Sequence, residues 1–149
     1  STGFLEPKGN CTEIGLIKYL MSAGISVQDI IREKEGKILQ TIPFNSRRKR
    51  ASTVLSLTSK DSKARVFLKG APEIVIDYCT TYYDASGIQQ ELTEEAKNKI
   101  LSEIVTATFA KKAYRTLMIC AKDMSLQEYE QLKAENNNFK GEQDREVLE

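Results

Sequence analysis

Apolar positions near the start of the chain recur at helical spacing. Ile14, Leu16, Ile17, Leu20 and Met21 share a face and Gly24 offers a stop, so a helix is expected from Thr12. Residues 25–35 are mixed, with a short helix as one reading, closed by Glu35-Gly36. The period then shortens. KILQTIPF, 37–44, reads as a strand, with Pro43 near its end where a missing N–H is tolerated. ASTVLSLTS, 51–59, alternates and is β-branched, KDSK, 60–63, is a turn, and ARVFLK, 64–69, returns from it, giving an antiparallel hairpin.

Farther on, Pro72 to Cys79 forms a short helix with Ile74, Val75 and Tyr78 on one side. TYYDASGIQQEL, 81–92, is a smaller hairpin turning at Asp84–Gly87. Thr93 opens the longest helix, with Glu94 and Glu95 in its first turn and Ile100, Leu101, Ile104, Val105 and Thr108 as its apolar stripe. RTLMICAK, 115–122, reads as a buried strand, and Ser125 with Glu128 resembles a capping box opening a last helix to about Ala134. The polar segments 1–8 and 136–149 read as linkers at either end of a single domain, 1–149. Helices and strands are intermixed but the hairpins make the sheet largely antiparallel, so the expected class is α+β.

Composition narrows the function more than the fold. A chain of 149 residues can bury a core without staples, and 40% hydrophobic with 29% charged residues is an ordinary globular balance. A net charge of +1 gives no reason to expect nucleic acid or an anionic membrane as partner. No apolar run is long enough to cross a bilayer, and STGFLEPKGN lacks the basic and apolar regions of a signal peptide. Cys11, Cys79 and Cys120 are scattered and odd in number, which argues against a disulfide framework and suits a reducing compartment. With no histidine, a Ser-His-Asp triad, a Cys-His pair and any His-containing zinc site are excluded.

Four short constellations carry candidate chemistry. In RVFLKGAPEIVIDYC, 65–79, a glycine permits an unusual φ or a close backbone approach and Pro72 suits a first helical turn. Lys69 at that corner is either an ordinary solvated edge residue or a cation for an anionic ligand such as phosphate. In PFNSRRKRAST, 43–53, the basic run Arg47 to Arg50 has three readings: a nucleic-acid or targeting patch, a kinase-like context for Ser52, or a solvated turn. If 45–48 form a turn, Phe44 and Lys49 can look onto one surface, an aromatic face beside an ammonium that would suit an adenine ring and its phosphates. GNCTEIGL, 9–16, puts Thr12 and Glu13 at a helix start, where capping alone explains them but Glu13 could also accept from an exocyclic amine. YRTLMI, 114–119, puts Arg115 at a strand entrance, as rim decoration or as a bidentate phosphate grip. The two commonest nucleotide fingerprints, G-x-x-x-x-G-K-[ST] and G-x-G-x-x-G, do not occur.

In this order, GNCTEIGL, PFNSRRKRAST, FLKGAPEIVIDYC and YRTLMICAKD resemble the nucleotide-binding domain of P-type cation-transporting ATPases, and the calcium-pump branch in particular. The resemblance runs from about Gly9 to Met124, and Lys-Gly-Ala-Pro-Glu after an apolar strand is its most specific element. It implies a twisted antiparallel sheet flanked by helices, facing the cytoplasm as part of an integral membrane pump. It also implies ATP as ligand, with Mg²⁺ accompanying the nucleotide in the full-length protein. Glu13 would meet the adenine amino group, Phe44 would stack on the ring, and Lys49 and Lys69 would line the pocket. Gly70 and Ala71 would give close approach, Arg115 would reach the phosphates, Leu117 would be an apolar contact and Thr12 a rim residue.

The resemblance has departures. Where calcium pumps often carry Lys-Ser-Met-Ser, this chain has Lys49-Arg50-Ala51-Ser52. The family's phosphorylated Asp-Lys-Thr-Gly-Thr and its magnesium-holding Gly-Asp-Gly do not occur, so no catalytic residue and no metal ligand are expected here. The expectation is a monomeric ATP-binding domain that does not itself hydrolyse ATP. It would present the γ-phosphate to an aspartate in a separate phosphorylation domain, with the actuator domain as a further partner and no direct membrane contact. The alternative is a non-catalytic interaction module using the basic 47–50 turn, switched by phosphorylation of Ser52.

Overall fold

A computed structural model describes residues 10–57 and 62–149. The linker expected over 1–8, and residues 60 and 61 of the expected turn, lie outside them. The chain falls into two compact units, one reaching Gly36 and the other running from Lys37 to Glu149. In the first, α1 (Cys11–Ser22) is capped by Asn10, whose Oδ1 accepts the Glu13 N–H at 2.9 Å. Gly24 follows at φ +76°, and α2 (Val27–Lys34) starts at Ser26, whose hydroxyl accepts the Asp29 N–H at 3.3 Å. The first helix matches the apolar spacing read from the sequence, and the second is the short helix that is one reading of 25–35.

The second unit is built on an antiparallel sheet in the order β1 (Ile38–Asn45), β2 (Arg50–Ser56), β3 (Lys63–Gly70), β6 (Met118–Ser125). Pro43 sits in the edge strand β1, where the register shifts between Ile42 and Asn45 and a missing N–H breaks no ladder. Side chains alternate across the sheet. In β3, Ala64, Val66, Leu68 and Gly70 are buried while Phe67 is 37% exposed. Ile42, Val54, Val66 and Met124 fill the covered face, roofed by α5 (Leu126–Glu135) through Tyr129, which is 1% exposed. Ser125 caps α5 by accepting the Glu128 N–H at 3.0 Å, as its spacing predicts.

Between β3 and β6 the chain makes α3 (Pro72–Val75), continued by a 3₁₀ turn over Ile76–Tyr78, then the small hairpin of β4 (Thr81–Tyr83) and β5 (Gln89–Glu91). The hairpin turn is organised by Asp84, whose carboxylate accepts the N–H groups of Ser86 and Ile88 and the Gln90 amide. Those donors hold its pKa below the ordinary value, the Gln90 amide most of all. Next comes α4 (Glu94–Lys99), capped by Thr93.

Three expectations are corrected. The helix beyond Lys99 widens to π geometry over Ile100–Phe109, so a stripe drawn at 3.6-residue spacing does not describe it, and Ile104 is 48% exposed. The strand read as buried over 115–122 begins at Met118 and lies at a sheet edge, leaving Ile119 57% exposed. The segment 136–149, read as a linker, is packed. It comprises a 3₁₀ turn (Asn137–Phe139), α6 (Glu142–Arg145) and a 3₁₀ turn (Glu146–Leu148), and it sinks Phe139 and Leu148 into the core to 2% and 0% exposure. The run of asparagines is the physical reason. Asn137, Asn138 and Phe139 adopt φ values of 50°, 52° and 55°, a left-handed turn that asparagine tolerates well.

Candidate functional site

One transverse row organises a single end of the sheet. Asn45 pairs with Arg50, Arg50 with Gly70 and Gly70 with Met118, one residue from each of the four strands. Phe44 immediately precedes this row, as do Lys49, Lys69 and Leu117, while Ala71 follows it. Three stretches distant in sequence, 44–50, 69–71 and 117–118, therefore converge, carrying most of the residues singled out from the sequence. Arg115 is exposed in the irregular stretch before β6, after Ala113 closes the preceding helix at φ +58°. Thr12 and Glu13 belong to the other compact unit, as the second and third residues of α1.

The turn between β1 and β2 covers Ser46–Lys49, one residue later than read from the sequence. Asn45 builds it: its side-chain oxygen accepts the Arg47 N–H at 2.8 Å and its carbonyl accepts the Lys49 N–H at 2.6 Å. Lys49 takes φ +55°, and its carbonyl accepts the Ala71 N–H at 3.0 Å. The turn and the start of the segment after β3 are thus joined backbone to backbone. Gly70 is what permits that approach. A Cβ there would lie 2.5 Å from the Lys49 carbonyl oxygen and 2.8 Å from the Arg50 Cβ, so the missing side chain accommodates the neighbouring strand. Its φ is not in the left-handed region, and of the two roles open to this glycine, close approach is the one used.

The chemistry presented at this end is mixed. Phe44 is 64% exposed, a large aromatic surface held at the end of an edge strand. Lys49 stands 3.8 Å from the Glu73 carboxylate of α3 with both side chains more than half exposed, a pair worth little in water. Lys69 lies opposite Ala51 and Ile119, on the face turned away from the core, with Phe67 beyond it along the strand. Glu73 belongs to the same motif as Lys69, and sequence reasoning used it only as part of a helix.

The basic run is not a free patch. Arg48 is 6% exposed, and its guanidinium meets the Glu149 carboxylate at 3.1 Å, with Glu142 and Glu146 at 3.7 and 3.6 Å from its Nε. Arg50 reaches the same Glu149 carboxylate at 2.5 Å, and Ser52, 2% exposed, donates its hydroxyl to it. A kinase cannot reach a hydroxyl so buried, and the middle of the turn is already neutralised within the fold. The buried Ser52 and the engaged Arg48 and Arg50 speak against the reading of 47–50 as an interaction patch switched at Ser52, while Arg47 and Lys49 stay exposed. No local pattern could have shown these partners; Glu149 alone lies 97 to 101 residues along the chain from the three groups it meets.

A cavity of about 680 Å³ lies elsewhere, between β6 and the small hairpin, lined among others by Phe67, Cys79, Tyr82, Leu92, Ile100 and Cys120. None of the nucleotide-site residues named from the sequence lines it. Among the described residues no cluster of three or more acidic or cysteine side chains could hold a metal ion.

Comparison with known proteins agrees with the motif order. The chain matches the family model of the P-type ATPase cytoplasmic domain N over residues 2–149. It is 37% identical over 118 residues to a plasma membrane-type calcium-transporting ATPase 4 of Arabidopsis thaliana, covering 78% of this chain and 11% of that protein. It is 30% identical over 139 residues to the calcium-transporting ATPase PAT1 of Dictyostelium discoideum, covering 93% and 12%. To plasma membrane calcium-transporting ATPase 1 of Gallus gallus it is 32% identical over 116 residues, covering 77% and 9%. The chain thus spans roughly a tenth of the length of these relatives. With an antiparallel four-stranded sheet flanked by helices, and the family model matched along nearly its whole length, the chain belongs to the cytoplasmic N-domain family of P-type ATPases.

Proposed function

We propose that this domain binds ATP at the sheet end marked by the Asn45–Arg50–Gly70–Met118 row and presents the γ-phosphate to an aspartate in another domain of the same pump, a calcium-transporting one. The observation that carries this reading is the convergence of Phe44, Lys49, Lys69, Ala71 and Leu117 within one residue of that row. The phosphorylation and actuator domains of the full-length protein are its partners, and the domain faces the cytoplasm. Glu13 and Thr12 as adenine and rim contacts rest on the family resemblance alone.

The roles follow from the chemistry of each side chain. Phe44 offers a face on which adenine stacks. The aliphatic stem of Lys69 packs beside the base while its charge serves the nucleotide. Lys49 leaves Glu73 for a phosphate at small cost, because an exposed ion pair is weak to begin with. Arg115 supplies a guanidinium to the phosphate chain. Magnesium would accompany the nucleotide and supply charge neutralisation on its phosphates, with no residue of this domain assigned to hold it. The domain brings no acceptor for the phosphoryl group, so on its own it binds without turnover.

Affinity should be modest, since a pump releases ADP in every cycle; a Kd of ~1 mM needs only about −4 kcal/mol. Phe44→Ala is expected to weaken ATP and adenosine alike by roughly 1–3 kcal/mol, the usual range for base–aromatic stacking. Arg115→Ala is expected to weaken ATP far more than adenosine. NMR or calorimetric titration of both ligands against both variants checks this. Undiminished binding by a folded Phe44→Ala protein would overturn the site.

A further inference from the structure

Cys79 and Cys120 are far apart in sequence but meet in the fold. Cys79 ends the 3₁₀ turn that follows α3, its thiol donating to the Val75 carbonyl at 3.4 Å, and Cys120 lies in the edge strand β6. Both line the cavity of about 680 Å³ beside the small hairpin, and both line a second cavity of about 110 Å³ adjoining it. Sharing the walls of both cavities makes the two residues neighbours in space. The third cysteine, Cys11, is exposed on α1 and belongs to the other compact unit.

We infer that Cys79 and Cys120 form a modification site, a thiol pair that low-molecular-weight disulfides convert into an intramolecular disulfide through the cavity they share. The larger cavity gives a small disulfide a path to both sulfurs, and the proximity of the two thiols favours closure over a second adduct.

The exchange runs in two balanced steps. The Cys79 thiolate attacks one sulfur of the disulfide, breaking its S–S bond and releasing the first small thiolate. Cys120 then loses its proton and attacks the Cys79 sulfur, expelling the second small thiolate and closing the protein disulfide. Two protein thiols are oxidised, one small disulfide is reduced, and both protons end on the released thiols. Burial and then the neighbouring Cys79 push the Cys120 thiol up to about 12, which makes Cys120 a poor opening nucleophile. Glu149 also raises the Cys120 value and Lys122 lowers it.

The test uses the intact chain with oxidised glutathione as probe, alkylation of remaining thiols and peptide mapping by mass spectrometry. A cross-linked Cys79–Cys120 peptide is expected, two hydrogens lighter than its reduced parts and formed at a rate independent of protein concentration. Cys11 should carry a glutathione adduct alone. Cys120→Ser should trap the adduct on Cys79, and Cys120→Ala should do the same if serine disturbs the strand. Recovery of Cys79 and Cys120 from the folded wild-type chain as free thiols or separate adducts, once Cys11 has reacted, would overturn the inference. The wild-type map decides without any variant, and none of these readouts involves nucleotide.

Discussion

Gly70 shows how one absent side chain sets the geometry of a site. The sequence left its purpose divided between an unusual φ and a close approach, and the structure assigns it the second, against the Lys49 carbonyl and Arg50. Gly70→Ala should therefore destabilise the fold by about 1–3 kcal/mol, the usual cost of forcing atoms into a filled space. Chemical denaturation measures it directly, and a neutral result would mean that β2 yields at Arg50 more easily than paired strands do. Phe44 and Lys69 were legible as candidates, an aromatic beside a turn and a cation at a strand-to-helix corner, although the residues alone left each with a plain surface reading beside the functional one. Arg48 was not legible, because nothing in a run of four basic residues marks which of them turns inward.

Period and punctuation located nearly every helix and strand, since alternation, β-branching and capping residues act within a few positions of themselves. The failures occur where distant partners decide. Residues 136–149 read as polar because their turn is built from asparagines and acids, yet Phe139 packs on Tyr129 at 5.8 Å between ring centroids and Leu148 is wholly buried. Acidic residues that looked solvated are there to meet Arg48 and Arg50. Removing one partner of a buried ion cluster leaves charge without compensation. Glu149→Gln should accordingly cost toward about 3–5 kcal/mol and loosen the terminal turns first. Denaturation together with amide exchange at Phe139 and Leu148 checks both parts; unchanged stability would mean that Glu142 and Glu146 alone hold Arg48.

At the level of the whole molecule, titration should limit stability from two sides. Asp123 is held below the usual carboxylate range, chiefly by its hydrogen bond from Arg65, so its contribution is present above the unfolded value of 3.8 and lost as pH falls through the folded one. Cys120 works in the opposite sense. Its thiol rises from 9.0 to about 12, so its contribution is complete below pH 9.0 and disappears as pH climbs through that window, where the unfolded chain ionises and the native one resists. Urea midpoints measured from neutral pH upward should decline beyond pH 9.0, and Cys120→Ala should flatten the decline. An equally steep decline in the variant would place the cause in other groups.

The hydrogen bond from the Ala71 N–H to the Lys49 carbonyl has a further consequence for timing. Folding itself fixes the backbone around both lysines, so an arriving nucleotide has only side chains to organise there. Association should then be a one-step encounter without a slow isomerisation, and departure should be equally free of a closing lid. Hydrogen exchange at the Ala71 amide offers the measure: it should already be slow in the empty domain and change little on saturation with ATP. A marked slowing on binding would show that the ligand, rather than the fold, assembles this corner.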